Sequence, residues 1–399
     1  MDGTAAELLA RADALAAVSE EPGRLTRRFA TEALGRAGEL VAGWMDEAGL
    51  AVRRDAAGNV LGRLGEPGEP PLVLGSHLDT VPDAGRFDGP LGVLAGIAVA
   101  GRVQARGLAP SLEVAAFADE EGARFGVPYL GSAAYAGVFE PAWLELVDDE
   151  GVTVAEAVRA AGGDPDGLVD VPSPVLAGYL EAHIEQGPVL EAEDLPVGVV
   201  SAIAGQTRAQ VTLEGRAAHA GTTPMRARRD ALAAASEIVL AVERCALEAD
   251  GLVATVGMLD VEPGATNVVP GRARLSVDVR HADDDELGRG VAAIRRAVDA
   301  IAAARGVEHA WVTRQAMPAV EMASTLRLRL ASAVSALGHE IRSLPSGAGH
   351  DAVVLSRVCP AAMLFVRCAG GISHDPRESV AEGDVAVALD VLERVAAPG

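Results

Sequence analysis

The stretch PLVLGSHLDTVPDAGRFDGPLGVLAGIAVAGRV, residues 71–103, decides the fold. It opens with an apolar run that turns polar at Ser76 and His77, and from Gly89 to Gly107 the chain reads as a helix. A strand this apolar is covered on both faces, as in parallel sheets layered with helices. Two later stretches repeat the design: LEVAAFADEE, residues 112–121, ends in acid, and GYLEAHIEQG, residues 178–187, ends around His183. In open α/β sheets ligands bind beyond the carboxyl ends of the strands. All three ends carry side chains of the metal-ligand type.

Working outward, a helix at Thr31–Leu50 precedes a strand pair in AVRRDAAGNVLGRLG, and the Gly65–Pro71 run is turn punctuation. From about Val211 the order becomes strand VTLEG, helix Arg226–Asp250, strands LVATVGMLDV and RARLSVDVRH, helix Asp283–Arg305 and strand HAWVTR. That βαββαβ order is the split βαβ, ferredoxin-like unit. The main layer resumes near Pro318. The expectation is an α/β chain: a mixed, largely parallel sheet domain of residues 1–206 and 318–399, with an inserted α+β domain at 207–317. A length of 399 residues suits such a pair of cores.

With 34 Lys and Arg against 57 Asp and Glu, the net charge of −23 repels polyphosphate, which argues against nucleic acid or an anionic membrane as partner. Aromatics at 3% leave few stacking surfaces for bases. Cys245, Cys359 and Cys368 form no CxxC pattern and read as buried fillers. The N-terminal segment lacks a basic region followed by an apolar core, and no apolar run reaches the roughly 18 residues of a membrane span. A cytoplasmic enzyme is the expectation.

Three of the eight histidines sit in dense polar clusters: His77 in GSHLDT, His183 in EAHIEQGP and His374 in GGISHDPRES. With Asp88 in GRFDGPLG and Glu121 in ADEEGARFG they make three imidazoles and two carboxylates, a set that suits Zn²⁺ or Mn²⁺ better than Ca²⁺ or Mg²⁺. Asp79 is placed to accept the other ring N–H of His77 and fix its tautomer. Asp88, before a glycine at a helix start, can turn both oxygens outward and bridge two ions. Of the adjacent acids, Glu121 reads as a ligand and Glu120 as the general base over an activated water. His281, His309 and His339 read as surface or structural. His350 and Asp351 in GAGHDA either pair as a cap on the following helix or support the site from behind, and the second is preferred. Gln186 and Gln206 read as substrate or hinge contacts, while Arg367 either reaches the pocket or faces solvent.

Six ordered motifs, GSHLDTVPDAGRFDGPLGVLAG, ADEEGARFG, HIEQGPVLE, GRAAHAGTTPMRARRDA, SGAGHDA and GGISHDPRES, resemble the amidohydrolase branch of the aminoacylase and carboxypeptidase superfamily. That branch comprises N-carbamoyl-L-amino acid hydrolases, β-ureidopropionases and allantoate amidohydrolases. The resemblance spans nearly the whole chain. It implies two divalent ions per chain, Zn²⁺ or Mn²⁺ with Co²⁺ possible, held terminally by His77, Glu121, His183 and His374 and bridged by Asp88, with Glu120 as base. It implies that the insert is a lid and a homodimer contact, with Arg280 holding a substrate carboxylate and His219 and Asn267 also gripping the substrate. His219 would reach the neighbouring chain's site as an oxyanion donor. The reaction implied is hydrolysis of a carbamoyl or ureido C–N bond in a small carboxylate, giving an amine, ammonia and CO₂. An aminoacylase or dipeptidase is the runner-up, against which stands His183, where related peptidases generally carry a carboxylate. A non-catalytic metal-binding scaffold is the reading from another class.

Overall fold

The computed structural model describes residues 3–65 and 68–397, so Glu66 and Pro67 of the turn-rich run lie outside the described residues. The chain divides into two compact units. The first comprises Met1–Ser201, Met322–Leu344 and Ala348–Gly399, and the second Ala202–Glu321 with Pro345–Gly347.

In the first unit the strands lie in the order Ala51–Arg54, Val60–Leu64, Leu112–Phe117, Leu72–His77, Gly178–Ile184, Ala361–Val366 and Val197–Ile203. The four from Leu112–Phe117 to Ala361–Val366 are parallel neighbours, and antiparallel pairs flank them. Each of these four is buried along its whole length. This is what their uninterrupted apolar sequences require, since both sheet faces are covered. The helix Pro90–Ala105 covers one face and is itself buried on nearly every side. Because the four strands run the same way, their carboxyl ends gather at one edge of the sheet. His77, Glu120, Glu121, His183 and, through the loop after Val366, His374 are all carried there.

The second unit has the strand order Leu259–Glu262, Arg272–His281, Gly205–Glu214 and Glu308–Met317, with Val253–Thr255 also paired to Arg272–His281. Along Arg272–His281 burial alternates residue by residue. Ala273, Leu275, Val277 and Val279 form a core with the helices Ala231–Leu247 and Asp284–Arg305, leaving the other sheet face polar. The longer helix is closed by chemistry visible in sequence: Asp283 accepts the Glu286 N–H, three acids fill the first turn, and Gly306 ends it at φ 64°.

Three details differ from the sequence expectation. The helix expected from Arg226 begins at Ala231, because Asp230 caps it and Met225–Ala227 is a separate short turn. The expected strand LVATVGMLDV breaks at Val256–Met258, where Ser276 uses its hydroxyl and its backbone to hold the Met258 backbone. A two-stranded ribbon, Ala218–His219 with Val268–Val269, was not expected at all.

Candidate metal centre

Asp88 lies at the middle of the site. Its Oδ1 is 3.2 Å from His183 Nε2 and 3.6 Å from His77 Nε2, and its Oδ2 is 3.4 Å from His374 Nε2. His374 Nε2 is also 3.4 Å from Glu121 Oε1. Potential ligand atoms of His77, Asp88 and His183 form one compact group, and those of Asp88, Glu121 and His374 another. Asp88 is common to both. His77, Glu120 and Glu121 form a third group. Borderline imidazole and carboxylate donors in two such triads fit divalent transition ions.

Local structure aims each ligand. His183 Nδ1 lies 3.0 Å from the Ile184 carbonyl and His77 Nδ1 lies 3.1 Å from the Asp79 carbonyl, which turns both Nε2 atoms toward Asp88. Asp79 does more than orient His77. Its two oxygens accept the backbone N–H groups of Glu120 and Glu121, at 3.0 and 3.2 Å, so one buried carboxylate ties the His77 strand to the acid pair. Gly89, at φ 83°, precedes the helix Pro90–Ala105, and a Cβ there would fall 2.5 Å from the His77 ring. Only glycine fits.

The electrostatics are those of a buried, mutually paired cluster of carboxylates and imidazoles. Burial pushes the Glu120 carboxyl well above the usual range, and neighbouring Glu121 and Asp351 push the same way. Burial would also raise Asp88, yet the His183 and His77 imidazoles hold it well below the usual range. Glu121 raises His374 to about 9. His350 is buried and stacks edge-on against His183, with ring centroids 4.5 Å apart, and burial holds it well below the usual histidine range. It supports His183 as a neutral aromatic wall. The helix after it has no side-chain cap from Asp351, which removes the capping alternative.

Other residues fall differently. Gln186 Nε2 lies 2.8 Å from Asp88 Oδ2 and 3.1 Å from Ser373 Oγ, so its amide holds the Asp88 carboxylate directly. Arg367 forks onto Asp384 and also reaches Asp194, a structural clamp. Cys359 and Cys368 are buried as expected, but Cys245 is only half-buried.

In the second unit, Gln206 stands directly across the strand pair from Arg280. The Arg280 guanidinium binds Asp278 through Nε at 2.8 Å and Nη2 at 3.0 Å, and Nη1 donates to the Gly347 carbonyl at 2.6 Å. It lines an open cavity of about 920 Å³ on the polar sheet face, together with Arg208, Thr255, Ser276, Asp278 and Gly347. His219 and Asn267 come together on the separate ribbon, where the Ala220 N–H donates to the Asn267 carbonyl. Both are exposed.

No helix among the described residues is long and apolar enough to cross a membrane. The model of Peptidase family M20/M25/M40 matches residues 73–397. An N-carbamoyl-L-amino acid amidohydrolase of Geobacillus stearothermophilus is 43% identical over 95% of this chain and 94% of its own length. An allantoate deiminase of Arabidopsis thaliana is 38% identical over 97% and 81%. Among solved structures, an amidase of the hydantoinase/carbamoylase family from Burkholderia multivorans superposes with a TM-score of 0.92 at 37% identity, covering 98% of this chain and 97% of that one. The fold, the ligand triads around Asp88 and these likenesses agree: the chain belongs to Peptidase family M20/M25/M40 and is an amidohydrolase of its N-carbamoyl-amino acid and allantoate branch.

Proposed function

We propose that this amidohydrolase cleaves the carbamoyl or ureido C–N bond of a small carboxylate substrate, an N-carbamoyl-L-amino acid or allantoate. Water is consumed, and the amine is released with ammonia and CO₂. The observation that carries the reading is the pair of ligand triads sharing Asp88, with Glu120 beside them. His77 and His183 would hold one divalent ion with Asp88, and Glu121 and His374 the other. Two such ions, Zn²⁺ or Mn²⁺, would lower the pKa of a shared water toward about 7 and offset charge developing on the carbonyl oxygen. Glu120 accepts the proton of the attacking water and delivers it to the leaving nitrogen.

In the insert, Arg280 and Gln206 would hold the substrate carboxylate, which must compete with Asp278 and Gly347 for the guanidinium. His219 and Asn267, presented together on their ribbon, would act as grip and oxyanion donors across a homodimer. An aminoacylase or dipeptidase activity on the same fold is the second reading. The imidazole of His183, set in the HIEQGP motif that resembles the ureido-cleaving branch, favours the first.

The test is a panel of N-carbamoyl amino acids, N-carbamoyl-β-alanine and allantoate followed by ammonia release, with N-acetyl amino acids and dipeptides in parallel. Turnover of the ureido compounds in preference to the amides is expected. The reverse preference would move the chain to the second reading.

A further inference from the structure

Glu378 lies four residues beyond His374 and is almost wholly buried. Its Oε1 accepts two backbone N–H groups, from Phe87 at 2.6 Å and from Asp88 at 3.1 Å, across 291 and 290 positions of chain. Its other oxygen is buried without a hydrogen-bond partner among the described residues. Gly85 makes room for it: a Cβ there would come within 2.3 Å of the Glu378 carboxyl carbon.

We propose that Glu378 is a positioning residue that locks the Asp88 loop to the His374 loop and so sets the relative placement of the shared carboxylate and one terminal imidazole. The proposal rests on the reading of Asp88 and His374 as metal ligands. The direction of the Asp88 side chain depends on the peptide planes at 87–89, where the chain turns through Gly89 into the helix Pro90–Ala105. Fixing the N–H groups of Phe87 and Asp88 on one oxygen fixes the two planes that lead into Asp88, 86–87 and 87–88. From the same loop, the Ser373 hydroxyl holds Asp88 Oδ2, so residues 373–378 grip Asp88 by side chain and by backbone. His374 sits between the two grips.

The test compares wild type with Glu378→Ala, Glu378→Gln and Gly85→Ala. Metal-free protein is titrated with Mn²⁺ against a competing chelator, and hydrogen exchange is measured at the Phe87 and Asp88 amides of the metal-free forms. Glu378→Ala should weaken ion binding by about 10–100-fold, the usual effect of removing a partner that orients a ligand, and should speed exchange at both amides. Glu378→Gln keeps a carbonyl acceptor and should restore most of both properties. Gly85→Ala, which displaces the carboxyl group from the other side, should behave like Glu378→Ala. Wild-type ion affinity in Glu378→Ala, or a Gln variant as weak as Ala, would overturn the proposal. If wild type itself bound no ion, the ligand reading would fall, and the lock would stand or fall on the amide exchange alone.

Discussion

The two units treat their chemical residues in opposite ways. In the first, His77, Asp88, Glu120 and His183 are buried: backbone carbonyls turn the two imidazoles, Gln186 and Ser373 hold the Asp88 carboxylate, and Asp79 holds the Glu120 backbone. In the second, His219 and Asn267 are exposed on a short ribbon, and Arg280 is engaged with Asp278 at the rim of an open cavity. A cluster of buried ionisable groups is expensive, so a chain that keeps one must over-determine its geometry and compensate its charge. Exposed residues carry no such cost and their positions are set by what they meet. The difference suits a division of labour in which the first unit holds the reacting centre and the insert supplies contacts made with substrate or a neighbouring chain.

The strongest test of that division separates the adjacent acids. Glu120→Gln should keep ion binding and lose about 10²–10⁴ in kcat, the usual worth of a general base. Glu121→Gln should instead weaken ion retention. Swapped behaviour, read by metal analysis beside steady-state rates, would reverse the assignment.

Arg280→Ala probes the insert. It should cost about 2–5 kcal/mol in kcat/KM for carboxylate substrates and little for an analogue whose carboxylate is an amide. Equal losses on the two compounds would make Arg280 a structural partner of Asp278 and Gly347, a strut of the sheet face.

His219→Ala should lower kcat by about 10²–10³ while leaving ion binding intact, as loss of one oxyanion donor does. Mixing His219→Ala chains with Glu120→Gln chains sharpens the comparison: recovery of activity after subunit exchange places His219 in its neighbour's site. Exchange verified without recovery would confine it to its own chain or remove it from the reaction.

A smaller effect is expected at Asp79, whose change to Ala removes the acceptor for the Glu120 and Glu121 N–H groups. Ion affinity should fall about 10–100-fold. An unchanged affinity, by chelator competition, would show that the acid pair is placed without it.

Much of the first unit was legible because His77, Glu120, Glu121 and His183 stand at or just beyond the ends of uninterrupted apolar strands, and a parallel sheet brings such ends to one edge whatever their separation in sequence. The role of Asp79 toward His77 could be read from a spacing of two residues, but its bonds to the Glu120 and Glu121 backbone could not. Glu378 lies in the GGISHDPRES motif, but its role toward Phe87 and Asp88 is not legible there, since those partners lie 291 and 290 positions away and no periodicity links them. The Gln186 backbone is left-handed, φ 57°, and its amide lies on Asp88, a partner 98 positions away that its own stretch of sequence does not show. In the insert, alternation announced the long strands, yet the ribbon pairs only two residues on each side, too few to show a period.

The central claim is that the triads sharing Asp88 together hold two ions and that both serve hydrolysis of a ureido bond. It is tested most directly by titrating metal-free protein with Mn²⁺ while following ammonia release from an N-carbamoyl-L-amino acid or allantoate. The account predicts no release without metal and activity that climbs until two ions are bound per chain. Full activity at a single ion, or ammonia release from protein stripped of metal, would contradict it.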